Sequence, residues 1–208
     1  MPLQNRLNPH GQLCAVPARG TFMGNRGLLH NAHQHITRPW ALQRWITCLL
    51  NFKGVQRKVM TPGLYTELFF LDEPTAYAAG HRPCSYCRHA DFKRFKALWA
   101  EVFPGLDQSA AGIDRVLHDA RLNADGSQWT WQAVLGDLPD GTMIEVEGDA
   151  VLLWRGGQWR WSFAGYEPIA ASVAKQTTVT VLTPEPYVRL FAAGLASGLQ
   201  VHPSLAQG

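Results

Sequence analysis

The spacing of apolar positions changes character along the chain. From Ala90 the residues Phe92, Phe95, Leu98, Trp99 and Val102 recur at intervals of three and four, with Lys93, Arg94 and Lys96 mainly on the other side. That period predicts a helix, which Pro104-Gly105 stops. A second helix is expected over 109–122, with Ile113, Val116, Leu117 and Ala120 inward. Asp72 reads as an N-cap, Pro74 lies in a first turn and Gly80 falls just past an end, so a short helix fits 73–79. Residues 44–52, 56–60 and 64–71 are short runs rich in aromatic and branched side chains and read as strands. Residues 1–40 are turn-rich, with only short strands expected. After Leu138-Pro139-Asp140-Gly141 the pattern becomes β: strands at 142–147, 150–155 and 158–163, with Gly148-Asp149 and Gly156-Gly157 as hairpin turns, then a strand over 177–182. Pro184 and Pro186 open a last helix ending at Gly194. These elements describe an α+β fold with antiparallel sheet. We expect a small N-terminal lobe of antiparallel strands and helices over 1–105 and a β-hairpin-rich lobe over 106–208.

Composition narrows the class. Charged residues are 17% of 208 and aromatic residues 11%, which excludes a disordered chain. No apolar run is long enough for a transmembrane helix, and the start lacks the apolar core of a secretory signal. Four cysteines are too few for a disulfide scaffold at this length, so a cytoplasmic chain with reduced thiols and no membrane association is expected. The charge is uneven. Residues 1–100 hold 13 Lys and Arg against 4 Asp and Glu, and residues 101–208 hold 6 against 12. The basic half points to an anionic partner, nucleic acid or a phosphorylated metabolite; the alternative is two halves that neutralise each other across a shared interface.

Cys84-Ser85-Tyr86-Cys87 is the strongest chemical signal. Two cysteines three positions apart on a turn entering a helix can aim both sulfurs at one ion, half of a tetrahedral zinc site. Other readings are a redox pair, for which the flanking βαβ pattern is missing, or two packed thiols. The stretch from Phe69-Phe70-Leu71-Asp72 through Ala76-Tyr77-Ala78-Ala79-Gly80-His81-Arg82-Pro83 to Cys84 and Cys87 resembles the second half of the zinc-binding domain of Ada-type DNA alkylation-repair proteins. That family has a strand, a short Ala-rich helix, then Gly-aromatic-Arg-Pro-Cys-x-x-Cys and a following helix. The resemblance implies that Cys84 and Cys87 bind zinc. The family takes its other ligands from a C-x-x-x-C pair, one member of which accepts a methyl group from a DNA phosphotriester. Here Cys48 is followed by Leu49-Leu50-Asn51-Phe52 and no second cysteine is near, so the resemblance does not carry methyl transfer. The whole chain also resembles uncharacterised bacterial proteins with the same stretch, which implies a shared architecture.

Cys48, in a strand upstream, is the expected third ligand, or else a core thiol. The fourth is open among Cys14, His30, His33, His35 and His81, with His30 preferred for its apolar flank Leu28-Leu29. Three thiolates and one imidazole would make a closed, structural site. Arg57-Lys58, Arg82, Arg88, Lys93, Arg94 and Lys96 surround the C-x-x-C. They are candidate contacts to DNA or RNA phosphates, or a solvated face. Gly24-Asn25-Arg26-Gly27 reads as a turn, or as a backbone anion cradle with Arg26 beside it. Asp114, His118 and Arg121 fall on one face of the helix over 109–122. There they form either a solvated face or a carboxylate-oriented base with an anion-holding arginine, the basis of an alternative reading as an enzyme with a site between the lobes. Trp159, Trp161 and Phe163 share a strand face and read as core, or as a surface for stacking bases. No nucleophile-elbow, zinc-protease, P-loop or dinucleotide-binding motif is present.

Overall fold

The computed structural model describes residues 1–54 and 58–207. The fold is α+β and contains two six-stranded, antiparallel-rich sheets. In chain order the first sheet holds β1 (Arg6–Leu7), β2 (Leu13–Cys14), β3 (Phe22–Asn25), β4 (Ile46–Leu49), β5 (Leu68–Phe70) and β6 (Arg82–Pro83). Its strands run in the order β2-β1-β5-β3-β4-β6, with β1–β5 and β4–β6 parallel and the other pairs antiparallel. The second sheet holds β7 (Trp131–Val134), β8 (Met143–Val146), β9 (Asp149–Trp154), β10 (Gly157–Ser162), β11 (Gly165–Pro168) and β12 (Thr178–Val181), in the order β11-β10-β9-β8-β12-β7. Four helices, α1 (Glu73–Ala78), α2 (His89–Val102), α3 (Ala110–Arg121) and α4 (Glu185–Ala192), pack with them.

The helices start and stop where their capping chemistry requires. Asp72 accepts a hydrogen bond from the Thr75 backbone N–H (3.1 Å), Ser109 accepts from the Gly112 N–H (3.0 Å), and Gly80 and Gly194 take up positive φ just beyond α1 and α4. The β8–β9 and β9–β10 hairpins turn on Glu147-Gly148 and Arg155-Gly156, one residue earlier than expected. Both residues of each pair have positive φ, the geometry that matches strand twist in a two-residue loop. Strands β6, β7 and β11 were not anticipated, because each is short or lacks a branched, alternating run. Gly24 and Asn25 belong to β3 rather than to a turn. Of the strand expected at 56–60, Gln56 lies outside the described residues, as does Arg57; Lys58 to Met60 form no strand.

Helix α1 is the hub. All of its residues are buried, and its side chains enter three different cores. Tyr77 joins Phe95 and Trp99 of α2, Leu117 of α3, and Tyr187 and Phe191 of α4. Ala78 packs with Met143, Leu152, Trp154 and Tyr166 of the second sheet, while Ala76 and Ala79 pack with Phe22, Leu68 and Phe70 of the first. Its alanines let backbone come close on every side. The expected boundary near residue 105 is therefore not a break in packing, since α2 shares a core with α3 and α4. Trp159 and Trp161 are core-facing, half-buried against the Met143–Trp154 cluster, and Trp161 donates to Thr75 Oγ1 (2.9 Å).

Buried charges fasten the same region. Arg82 holds Asp114 in a two-pronged ion pair, 2.7 Å at each oxygen, which locks β6 to α3. Truncating one member would strand the other charge in the interior. Asp114→Ala is expected to cost about 3–5 kcal/mol of folding free energy, read as a lower urea midpoint at unchanged slope.

Candidate metal centre

Strand β4 and the turn after β6 bring the three cysteines together. In the parallel β4–β6 pair Ile46 faces Arg82 and Thr47 faces Pro83. The Cys84 N–H donates to the Thr47 carbonyl (2.9 Å), which places the C-x-x-C turn directly beside Cys48. The sulfurs of Cys48, Cys84 and Cys87 all lie within 4.8 Å of one another, and three thiols so placed can hold a metal ion. Cys48 and Cys84 are buried and Cys87 is half-buried. The turn is tightened from inside: the Tyr86 N–H donates to Cys84 Sγ (3.4 Å), and the Arg88 N–H donates to the Cys84 carbonyl (3.1 Å) as α2 begins.

The three thiols do not titrate alike. The thiol of Cys48, donating to Cys84, together with the backbone N–H groups of Cys87 and Tyr86, pulls Cys84 down to about 5 against the opposing effect of burial. The same hydrogen bond, and then burial, push Cys48 up; burial first and the neighbouring Cys84 next push Cys87 up. One thiolate is thus favoured even before an ion supplies its charge.

The cluster stands in the wall of a groove of about 700 Å³. Met23, Ile46, Leu49, Phe52, Phe69 and Tyr86 give it a mainly apolar lining, and Arg44 stands at its edge. Phe52 and Tyr86 meet edge to face at 5.0 Å, and Lys53 donates to the Tyr86 hydroxyl (3.1 Å).

Among the described residues no histidine or carboxylate joins the three sulfurs. His30, the expected fourth ligand, is committed elsewhere. Its Nδ1 pairs with Thr66 Oγ1 (2.7 Å) and its Nε2 with the Thr61 carbonyl (3.2 Å), so it pins the 61–66 segment to residues 29–30. Cys14 lies in β2, His33 and His35 are exposed, and His81 is buried against Arg26, Trp45 and Phe70.

The expected phosphate contacts divide. Arg82 and Arg88 are internal. Arg82 pairs with Asp114, and Arg88 spans α1, β4 and α2 through Glu73, Thr47 Oγ1 (2.9 Å) and Asp91 (2.9 Å). Both guanidiniums are buried and already matched by a carboxylate of the chain, so neither is left for a phosphate. Arg94 donates to the Gly194 carbonyl (2.6 Å) and Ser197 Oγ (2.9 Å), while Lys93 is exposed.

The Asp114, His118 and Arg121 face is also rearranged by packing. Asp114 turns to Arg82, so it does not orient His118. His118 Nδ1 accepts from Arg121 (2.8 Å), and its ring meets Trp40 edge-on at 4.5 Å. Arg121 lines a second cavity together with Arg26, and both guanidiniums stack on Trp45, 3.8 and 3.7 Å from the ring centre. Arg26, read as part of a turn, is in fact buried. What the sequence pattern withheld was Trp45 as the plate between two arginines, and Glu73 and Thr47 as partners of Arg88. Nothing local signalled either.

No family model, curated protein or solved structure matches the chain.

Burial, with Arg26 and Arg121 close by, holds His81 well below its ordinary value; burial and Arg121 lower His118. In the unfolded chain both take up a proton near pH 6.5, which the folded chain resists. Stability from these groups is therefore present above about pH 6.5 and lost as pH falls below it, by up to about 1.4 kcal/mol per pH unit per group. Asp72 and Glu73, raised by burial, act in the opposite sense. The expected outcome is that urea unfolding between pH 7.5 and 5.5 shows a smaller acid loss in His81→Phe than in the native chain.

Proposed function

We propose that this chain is a zinc protein in which Cys48, Cys84 and Cys87 hold one ion, and that the ion ties β4 to the start of α2. The observation that carries this reading is the approach of the three sulfurs to within 4.8 Å. Zinc–sulfur bonds of about 2.3 Å in a tetrahedron put sulfurs about 3.8 Å apart, so the donors need a shift of about an ångström at most. The donor set fits the metal: soft thiolates favour zinc, and the N–H group directed at Cys84 Sγ is the kind of outer contact that steadies a bound thiolate. With His30 engaged by Thr66 and Thr61, the described residues offer three thiols, and the groove that the cysteines line has room for a further donor. Zinc there would supply cross-linking and a Lewis-acidic position open to a ligand from the groove. The resemblance to Ada-type zinc domains supports the Cys84–Cys87 half of this assignment.

Elemental analysis of the purified chain is expected to give about one zinc per molecule, strongly reduced in Cys84→Ser, with a lower melting temperature after chelation. A native chain purified without chelator and free of metal would overturn the reading.

A second reading concerns the partner. The groove edge carries the exposed cations Arg44 and Lys53 beside the exposed ring of Tyr86 and the half-buried ring of Phe52, a combination suited to a nucleic-acid strand, with phosphates on the cations and bases on the rings. These residues replace Arg82 and Arg88 as the proposed contacts. Affinity for a single-stranded oligonucleotide is expected to fall about sevenfold between 50 and 200 mM salt, as two phosphate contacts imply, and to be lower throughout in Lys53→Glu. Affinity independent of salt would remove phosphate contact from consideration.

A further inference from the structure

The two buried arginines on Trp45 differ from the others in one respect. Arg82 and Arg88 are each matched by a buried carboxylate, Asp114 and Glu73. Among the described residues Arg26 and Arg121 pair with none. Their partners are neutral. Arg26 donates to His81 Nε2 (3.3 Å) and to the carbonyls of Gly11 (3.3 Å) and Ala79 (3.0 Å). Arg121 donates to the carbonyls of Gly80 (2.8 Å) and Gln43 (2.5 Å) and to His118 Nδ1. The carbonyls of Ala79 and Gly80 belong to the C-terminal end of α1, whose partial negative charge is far smaller than two full positive charges. Two like charges out of water, each repelling the other, are costly unless an anion accompanies them. Both are accordingly shifted down, Arg121 to about 10, with burial the main cause.

The space for such an anion is present. Arg26 and Arg121 line a cavity of about 510 Å³, the size of a metabolite site, and among the described residues no carboxylate lines it. A guanidinium has five N–H groups. The contacts above use three on each arginine and leave two on each, including the buried Arg121 Nε–H, which has no partner. Two positive charges match a phosphate monoester, a dianion with three terminal oxygens, better than a singly charged carboxylate or phosphodiester. Exposed Arg38 lies at the rim, and the half-buried ring of Trp40 offers a face for the organic part of the ligand.

We propose that this cavity binds a small phosphate monoester, with the phosphate held by the guanidinium edges of Arg26 and Arg121 and the remainder against Trp40. The site is separate from the cysteine groove and shares no lining residue with it.

The test is calorimetric titration of the full chain with inorganic phosphate and with adenosine 5′-monophosphate, in chloride buffers of matched ionic strength. Both are expected to bind, at least tenfold more weakly in Arg26→Gln. Because that variant removes bonds to Gly11, Ala79 and His81, its fold is checked by circular dichroism. Arg38→Glu, on an exposed side chain, supplies a second readout and is expected to weaken both ligands several-fold. A dinucleotide with no terminal phosphate, which carries only a diester, is not expected to compete. No binding of either probe to the native chain, affinity unchanged in Arg38→Glu or in folded Arg26→Gln, or effective competition by the dinucleotide would each overturn the proposal.

Discussion

A six-residue helix buried on every side can exist only if the charges at its start are matched inside the protein. Asp72 and Glu73 stand at the start of α1, and each is met from more than one direction. Asp72 accepts from the Thr75 N–H and hydroxyl, the Tyr166 hydroxyl (3.0 Å) and the His202 N–H (3.0 Å). Glu73 meets Arg88 with one oxygen and the Gln200 N–H (2.8 Å) with the other. The start of α2, the second sheet and the C-terminal segment thus converge on the same two carboxylates. Burial pushes both upward in pKa while these donors pull them down, so the region is held by compensation between large opposing effects.

The cysteine cluster inherits its geometry from that arrangement. Arg88 leaves the C-x-x-C turn, crosses to Glu73 and also donates to Thr47 of β4, the neighbour of Cys48. Arg82, at the other end of the turn, is fixed on Asp114 of α3. A turn anchored by an arginine on each side has little freedom to drift from β4. The two charges that looked available to a partner are therefore structural, and they position the sulfurs. Their separation of roles from Arg26 and Arg121 is one of charge balance: each of the first pair has a carboxylate in contact, and among the described residues neither of the second has.

Local chemistry made much of this legible. Asp72, Pro74 and Gly80 delimited α1, and the three-and-four spacing of Phe92, Phe95 and Trp99 marked the buried face of α2. The hairpins of the second sheet followed from their glycines, with a one-residue error because the pair of positive-φ positions begins on a non-glycine, Glu147 or Arg155. Strands β6 and β11 stayed hidden: a proline-containing pair and a glycine-led run have no intrinsic strand preference and are strands only because a neighbour offers free backbone groups.

By itself the sequence determined that the chain is α+β, that the C-x-x-C sits on a turn entering a helix, and that Cys48 lies on a strand. Each depends on residues close together in the chain, where spacing fixes direction. Only the tertiary structure decided that Cys48 joins Cys84 and Cys87, that His30 turns to Thr66, that Asp114 serves Arg82 instead of His118, and that Arg26 is buried beside Arg121. Those outcomes depend on strand register and on which buried charge finds which partner. A polar side chain carries the same donors and acceptors wherever it stands, so its spacing along the chain does not reveal whom it will meet.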